Sequence, residues 1–293
     1  MFDFVSHRKK FFSVSLVLLL ISVLSITIFG FKSGIDFTGG TMIEIEYDDQ
    51  IPTNAEIKEK LASFNEIGQI QVQATEEKGF ILRFKEIDEE THQEILTALG
   101  NPEEKRFETI GPVIGHELTQ KAKWTIILAL IAIIFYIAWA FRKLSRISSK
   151  GESWRYGAGA LLALFHDVVI LLGFFSLMGR LKGIEIDTAF ITAILIVLGY
   201  SVNDTIIVYD RIRENLLTYR SNDLAKTINL SINEVLVRSL NTSLTTLLAL
   251  LAIYLFGGAS IKNFVLAMMV GIGVGTWSSI VIASPFLLLK RKK

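Results

Sequence analysis

Two acidic residues sit where the chain is otherwise built for an apolar setting. In GYSVNDTIIVYDR, residues 199–211, Asn203 and Asp204 interrupt an apolar run, and in ALFHDVVILLG, residues 163–173, Asp167 follows His166. An ionised carboxylate in hydrocarbon costs about 2.5 to 3.5 kcal/mol on the gentlest insertion scale, so each acid should face a bundle interior or a watery cavity. A carboxyl group in such a place can bind and release an ion, and an acid with a neighbouring histidine can relay protons. Adjacent helical residues point about 100° apart, so His166 and Asp167 need not touch, and an interhelix hydrogen bond is the plainer role for Asp167. For Asp204 the plainer role is the start of a polar loop; Thr205 to Tyr209 are apolar enough to continue the span instead. A third polar feature is VRSLNTSLTT, residues 237–246, in which Ser239, Thr242 or Ser243, and Thr246 recur at helical spacing behind Arg238. Such a stripe belongs on a helix contact or a water path. An acid poised between the Arg238 cation and desolvating surroundings can load and release a proton, while Arg238 read alone is a topology anchor.

The elements that must hold these residues are membrane spans. The 293-residue chain is 51% apolar, and six runs of 18 to 26 residues stand out: 11–31, 124–141, 156–178, 189–209, 239–256 and 264–289. Each can cross a hydrocarbon core of roughly 30 Å at about 1.5 Å per residue. The first run follows His7-Arg8-Lys9-Lys10 but is too long for a signal-peptide core and lacks a small-residue cleavage site, so it reads as an uncleaved span. Lysine and arginine crowd the N-terminus, loop 142–155, loop 210–238 and the tail 290–293, whereas the opposite short loops carry only Arg180, Lys182 and Lys262. By the positive-inside rule both termini are expected in the cytoplasm. The segment Arg211–Leu236 mixes charged and apolar groups and reads as a cytoplasmic helix lying along the membrane surface. In the last run Gly271, Gly273 and Gly275, with Ser278 and Ser279, are expected to let helices approach closely.

The expected organisation is therefore three-part: 1–31, a cytoplasmic N-terminus and first span; 32–123, an extracytoplasmic α+β domain; and 124–293, five spans with cytoplasmic loops and C-terminus. Gly39 and Gly40 permit a tight turn before the domain's first strand, in which Met42, Ile43, Ile45 and Tyr47 mix with Glu44 and Glu46. Thr53 and Glu56 fit a capping box opening a helix to about Phe64. Strands are expected at 69–75, 79–85 and 105–110, and a helix from the Asp88 cap to Leu99, stopped by Gly100. The order β-α-β-β-α-β is the ferredoxin-like pattern.

Several chemistries find no support. The chain has no cysteine, its four histidines lack paired metal-ligand spacing, and a net charge of +1 gives no argument for nucleic acid. The glycines of the last run follow no strand, and no phosphate-cradling motif is present. No nucleophile, base and orienting acid can be assembled from the sequence, so an enzyme is not expected.

The motifs GIDFTGGT at 34–41, His166-Asp167, GYSVNDTIIVYDRIREN at 199–215, VRSLNTSLTT at 237–246 and GVGTWSSIVIASP at 273–285 resemble the SecF subunits of the SecD/SecF protein-export family. The resemblance covers nearly the whole chain. It implies a subunit of the bacterial cytoplasmic (inner) membrane that pairs with SecD in a twelve-span assembly similar to the resistance-nodulation-division transporters. It further implies association with the SecYEG channel, indirect links to YajC and SecA, and action on translocating precursor proteins within the lipid membrane. The family's essential acid falls on Asp204 and its essential basic residue on Arg238. No cofactor is implied, and the coupling ion is H⁺ or Na⁺. Two rival expectations stand beside this one: a small-molecule efflux transporter on the same scaffold, and a non-transporting scaffold of the export complex.

Overall fold

In the computed structural model, residues 2–48, 51–75, 78–140, 153–219 and 223–288 are described. In chain order the elements are α1 (Arg8–Phe29), α2 (Ile35–Thr38), β1 (Gly40–Glu46), α3 (Asn54–Leu61), β2 (Gln71–Ala74), β3 (Gly79–Phe84), α4 (Glu89–Leu99) and β4 (Glu103–Ile110). There follow α5 (Pro112–Ala140), α6 (Ser153–Lys182), α7 (Thr188–Tyr219), α8 (Leu224–Phe256), α9 (Ala259–Ser278), a π-helical segment Ser279–Ala283, and α10 (Ser284–Phe286). Among the described residues six helices are long and apolar enough to cross a membrane: α1, α5, α6, α7, α8, and α9 continued through Phe286.

The α+β part folds as its sequence periodicity dictates. Alternation in β1 sends Ile43 and Ile45 to one face, where both are fully buried. The four strands stand in the order β2-β3-β1-β4 with every neighbouring pair antiparallel, which is the ferredoxin-like arrangement. Ile43 lies opposite Leu82 of β3 and Phe107 of β4. Helices α3 and α4 cover this face with Ile57, Leu61, Ile95 and Leu99. Thr53 and Glu56 form the reciprocal cap of α3, with Thr53 N donating to Glu56 Oε2 at 2.7 Å. These bonds hold the Glu56 carboxyl below its ordinary range. Helix α3 ends at Leu61 rather than Phe64, because the chain turns into a 3-10 segment, Asn65–Ile67, that buries Ile67. Asp88 caps α4 through the Thr91 amide, and Gly100, with φ +93°, closes it.

The chain divides into two compact units. One comprises Lys32–Trp124 together with Glu185–Thr188; the other holds Met1–Phe31, Thr125–Ile184 and Ala189–Lys293. Residues 185–188, read from sequence as part of the 124–293 segment, thus cluster with the α+β part.

Within the helical unit the contacts follow small residues. A side chain at Gly173 of α6 would overlap Ser22 of α1, and Ser176 donates to the carbonyls of Ser25 at 2.9 Å and Gly30 at 2.7 Å. The surface helix expected over 211–236 is absent from the described residues. Instead α7 runs on through Tyr219 and α8 begins at Leu224. Polar pairs stitch these extensions together: Arg211 Nε to Glu234 Oε2 at 2.7 Å, Asn215 Nδ2 to the same oxygen at 2.6 Å, and Asn215 Nδ2 to Ser231 Oγ at 2.9 Å. No glycine or proline interrupts 211–219 or 224–236, so each helix propagates through its charged stretch with its polar groups satisfied. Loop residues 142–152 and 220–222, and the tail 290–293, lie outside the described residues.

Gly40 has φ +120°, and a Cβ there would sit 2.6 Å from the Phe84 carbonyl oxygen. Backbone strain of this kind costs about 1 to 3 kcal/mol before any overlap is counted. Gly40→Ala is therefore expected to raise amide-exchange rates throughout β1 and β3 of the membrane-embedded chain. Gly157→Ala, where nothing lies within 4 Å and φ is ordinary, is expected to leave exchange unchanged.

Candidate functional site

The two acids are held by four helices, and their settings differ. Asp167 of α6 is fully buried. Its Oδ2 accepts from Ser201 Oγ of α7 at 2.6 Å and from Ser278 Oγ of α9 at 2.8 Å. Its Oδ1 lies 2.9 Å from His166 Nδ1, so the adjacent side chains do touch, and an imidazole protonated at Nδ1 donates to the carboxylate. His166 is itself buried, and its Nε2 has no hydrogen-bond partner among the described residues.

Asp204 of α7 lies three positions after Ser201, and is 1% exposed. Its Oδ2 is 3.4 Å from Thr276 Oγ1 of α9, and Thr276 is 2.6 Å from Ser243 Oγ of α8. Thr276 also approaches its own helix's Ile272 carbonyl at 2.9 Å. A threonine hydroxyl has one proton, so it cannot serve the carboxylate and the carbonyl fully at once. Asp204 Oδ1 has no partner among the described residues, nor does the buried Ser239 Oγ of α8. A desolvated carboxylate with a free oxygen is costly in its charged form and receptive to a proton or cation.

The polar stripe on α8 splits into two faces. Ser239 and Ser243 are buried, and it is Ser243 rather than Thr242 that reaches the chain from Asp204 through Thr276. Thr242 and Thr246 point elsewhere, their hydroxyls donating back to the carbonyls of Arg238 at 2.9 Å and Thr242 at 3.0 Å. Arg238 is exposed, and among the described residues no ion pair joins it to Asp204. Asn203 is exposed one position before the buried acid.

Close packing of α9 on α7 brings Thr276 and Ser278 to the acids. A Cβ at Gly271 would overlap Val197, and one at Gly275 would come within 3.0 Å of Ser201 Cβ. Gly273, grouped with them in the sequence, faces open space on the other side of the helix. Beyond Ser278 the backbone widens into the buried π-helical segment, where Pro285 removes a donor and Ser284 Oγ reaches back to Ser279 O at 2.9 Å. Tyr209, fully buried, donates to Ala283 O at 2.8 Å in this segment. Thr276 and Ser201 are the residues that sequence reading passes over. Their only signal is position: Ser201 one helical turn before Asp204, and Thr276 inside the small-residue run of α9. Among the described residues no cluster of three His, Asp or Glu is placed to hold a metal ion.

Buried carboxylates ringed by hydroxyls inside a bundle of long apolar helices, with a small α+β domain strung between the first two, define a multi-pass membrane protein with a polar site in its interior. Residues 91–293 match the family described as "Protein export membrane protein SecD/SecF, C-terminal", and residues 24–51 match the "SecD/SecF GG Motif". The chain belongs to the SecD/SecF family of protein-export membrane proteins. It is 39% identical to the protein translocase subunit SecF of Thermobaculum terrenum, over 98% of this chain and 93% of that subunit. It is 36% identical to SecF of Anaerolinea thermophila, over 99% of this chain and 94% of that one. The crystal structure of SecDF from Thermus thermophilus, titled a translocon-associated membrane protein, superposes with a TM-score of 0.82 at 33% identity. That match covers 98% of this chain and 38% of the solved chain, so this chain spans well under half of SecDF. SecDF in a super-membrane-facing form gives a TM-score of 0.68.

Overfilling the α7–α9 contact should be felt directly, since overpacking costs about 1 to 3 kcal/mol. Gly271→Leu is expected to lower the thermal unfolding midpoint of the purified protein, while Gly273→Ala leaves it unchanged.

Proposed function

We propose that this chain is the SecF-type subunit of a protein-export complex and that Asp204 couples an ion gradient to late steps of translocation. The observation that carries the reading is the buried Asp204 carboxylate, with one oxygen unpartnered among the described residues and hydroxyls from α8 and α9 beside it. In this reading Asp204 binds and releases H⁺ or Na⁺. Thr276 and Ser243 set its affinity and hydration, and Asp167, already held by Ser201, Ser278 and His166, either fastens α6, α7 and α9 or passes protons on. The change of charge at Asp204 alters helix packing, and the α+β domain, on the outward side, moves against an emerging precursor chain. One charge crossing 100 mV supplies about 2.3 kcal/mol, enough to bias a two-state movement by roughly fiftyfold. The motion is a ratchet rather than a single strong pull.

The partners in this reading are SecD, the SecYEG channel, and YajC and SecA indirectly, in a bacterial inner membrane with both termini cytoplasmic. SecD would supply what the longer SecDF chain has and this one does not. The exposed face of α8, with Arg238, Thr242 and Thr246, is where a partner helix would complete the polar path.

Asp204→Asn is expected to abolish the gradient-dependent part of precursor export in membrane vesicles while ATP-driven entry and subunit levels stay normal. Gradients of H⁺ and of Na⁺ applied separately identify the ion. Export that remains fully gradient-responsive in Asp204→Asn would instead make the acid a structural residue and the subunit a scaffold; gradient-driven extrusion of a small molecule would favour an efflux transporter.

A further inference from the structure

The short connection between α6 and α7 is fastened to the α+β domain by side chains that a simple loop does not need. Ile186 N donates to Lys32 O and Gly34 N donates to Ile186 O, both at 2.8 Å, which makes Ser33 and Ile186 a parallel bridge pair. Glu185 Oε2 lies 2.8 Å from Arg83 Nε on β3, and its Oε1 lies 3.4 Å from Lys32 Nζ. Beside this ion pair, Arg83 donates from Nη1 to Gln73 Oε1 of β2 at 3.2 Å. The Glu185 and Arg83 side chains are only 10% and 14% exposed, so each depends on the other for compensation. Burial pulls the Arg83 guanidinium below its ordinary range, and the Glu185 carboxylate opposes that pull. Asp36 completes the arrangement: its Oδ2 accepts from Thr188 N at 2.8 Å and from Thr188 Oγ1 at 2.5 Å. Thr188 is the first residue of α7, so Asp36 caps a helix far from it in sequence, at the end where a negative charge is favoured.

The boundaries of the two units give these contacts their meaning. The chain passes between the units at 31/32, 124/125, 184/185 and 188/189. An independent inserted domain would have only an entry and an exit. Here the start of the helix that carries Asp204 belongs to the α+β unit.

We infer that Asp36, Arg83 and Glu185 are positioning residues that hold Glu185–Thr188, the residues leading into α7, on the α+β unit, so that a displacement of α7 is delivered to the domain rather than absorbed by a loop. The inference rests on the proposed gradient-driven function. It gives the motif GIDFTGGT a mechanical role, in which the Gly34 amide bonds the Ile186 carbonyl, Asp36 caps α7, and Gly39-Gly40 turns the chain into β1.

The test uses the full chain with its partner in membrane vesicles, with Asp204→Asn run alongside. Glu185→Gln combined with Asp36→Asn is expected to lower gradient-dependent export by about fivefold or more while ATP-driven entry and partner assembly are retained. Because the chain has no cysteine, Ser33→Cys with Ile186→Cys places a single reversible lock across the bridge pair, which adjacent-strand spacing brings within disulfide reach. Oxidation is expected to leave gradient-dependent export unchanged, since the clasp stays closed through the cycle. Full gradient response in Glu185→Gln/Asp36→Asn, with Asp204→Asn inactive, overturns the clasp and spares the function. Export that falls on oxidation and returns on reduction also overturns it. A fully responsive Asp204→Asn overturns the function itself, and the clasp's role with it.

Discussion

A carboxylate enclosed by apolar helices must find donors or give up its charge, and the helical unit is arranged around that demand. Asp167 meets it by drawing one hydroxyl from α7 and another from α9 onto a single oxygen, with a histidine on the second. Those bonds fix the relative depth and rotation of three helices. Glycines at 271 and 275 follow from the same requirement, because a hydroxyl on α9 reaches an acid near α7 only when the two backbones lie close.

Asp204 obeys the same constraint incompletely. Its single long contact to Thr276 competes with a backbone carbonyl and with Ser243. The two acids therefore divide the work that burial imposes: one is satisfied and holds the helices in place, and the other keeps an oxygen available.

The helices and the sheet were legible because each rests on a period. Ile43 and Ile45 alternate with glutamates, Thr53 and Glu56 stand at capping distance, and long uncharged runs leave little choice but a span. The burdened acids were legible because a charge inside such a run is conspicuous. What escaped was the identity of their partners, since serine and threonine in a small-residue run suit packing and hydrogen bonding equally, and only three-dimensional contact tells Thr276 from its neighbours. On α8, Thr242 and Ser243 are adjacent and about 100° apart, so the sequence could not say which one turned inward. Residues 185–188 were illegible for a different reason: too short for any period, they are defined by pairing with residues 32–36, far away along the chain.

The π-helical turn at Ser279–Ala283 gives α9 a property its neighbours lack. The extra residue in that turn makes the helix two rods out of phase, joined by a coupling that has a looser hydrogen-bond ladder than either. The rod bearing Gly271, Gly275 and Thr276 can therefore set its small-residue face against α7 independently of the face presented by the Pro285 end, where Tyr209 holds the Ala283 carbonyl. Such a phase change lets one helix serve two docking faces: one places the hydroxyl beside Asp204, and the other takes the Tyr209 hydroxyl.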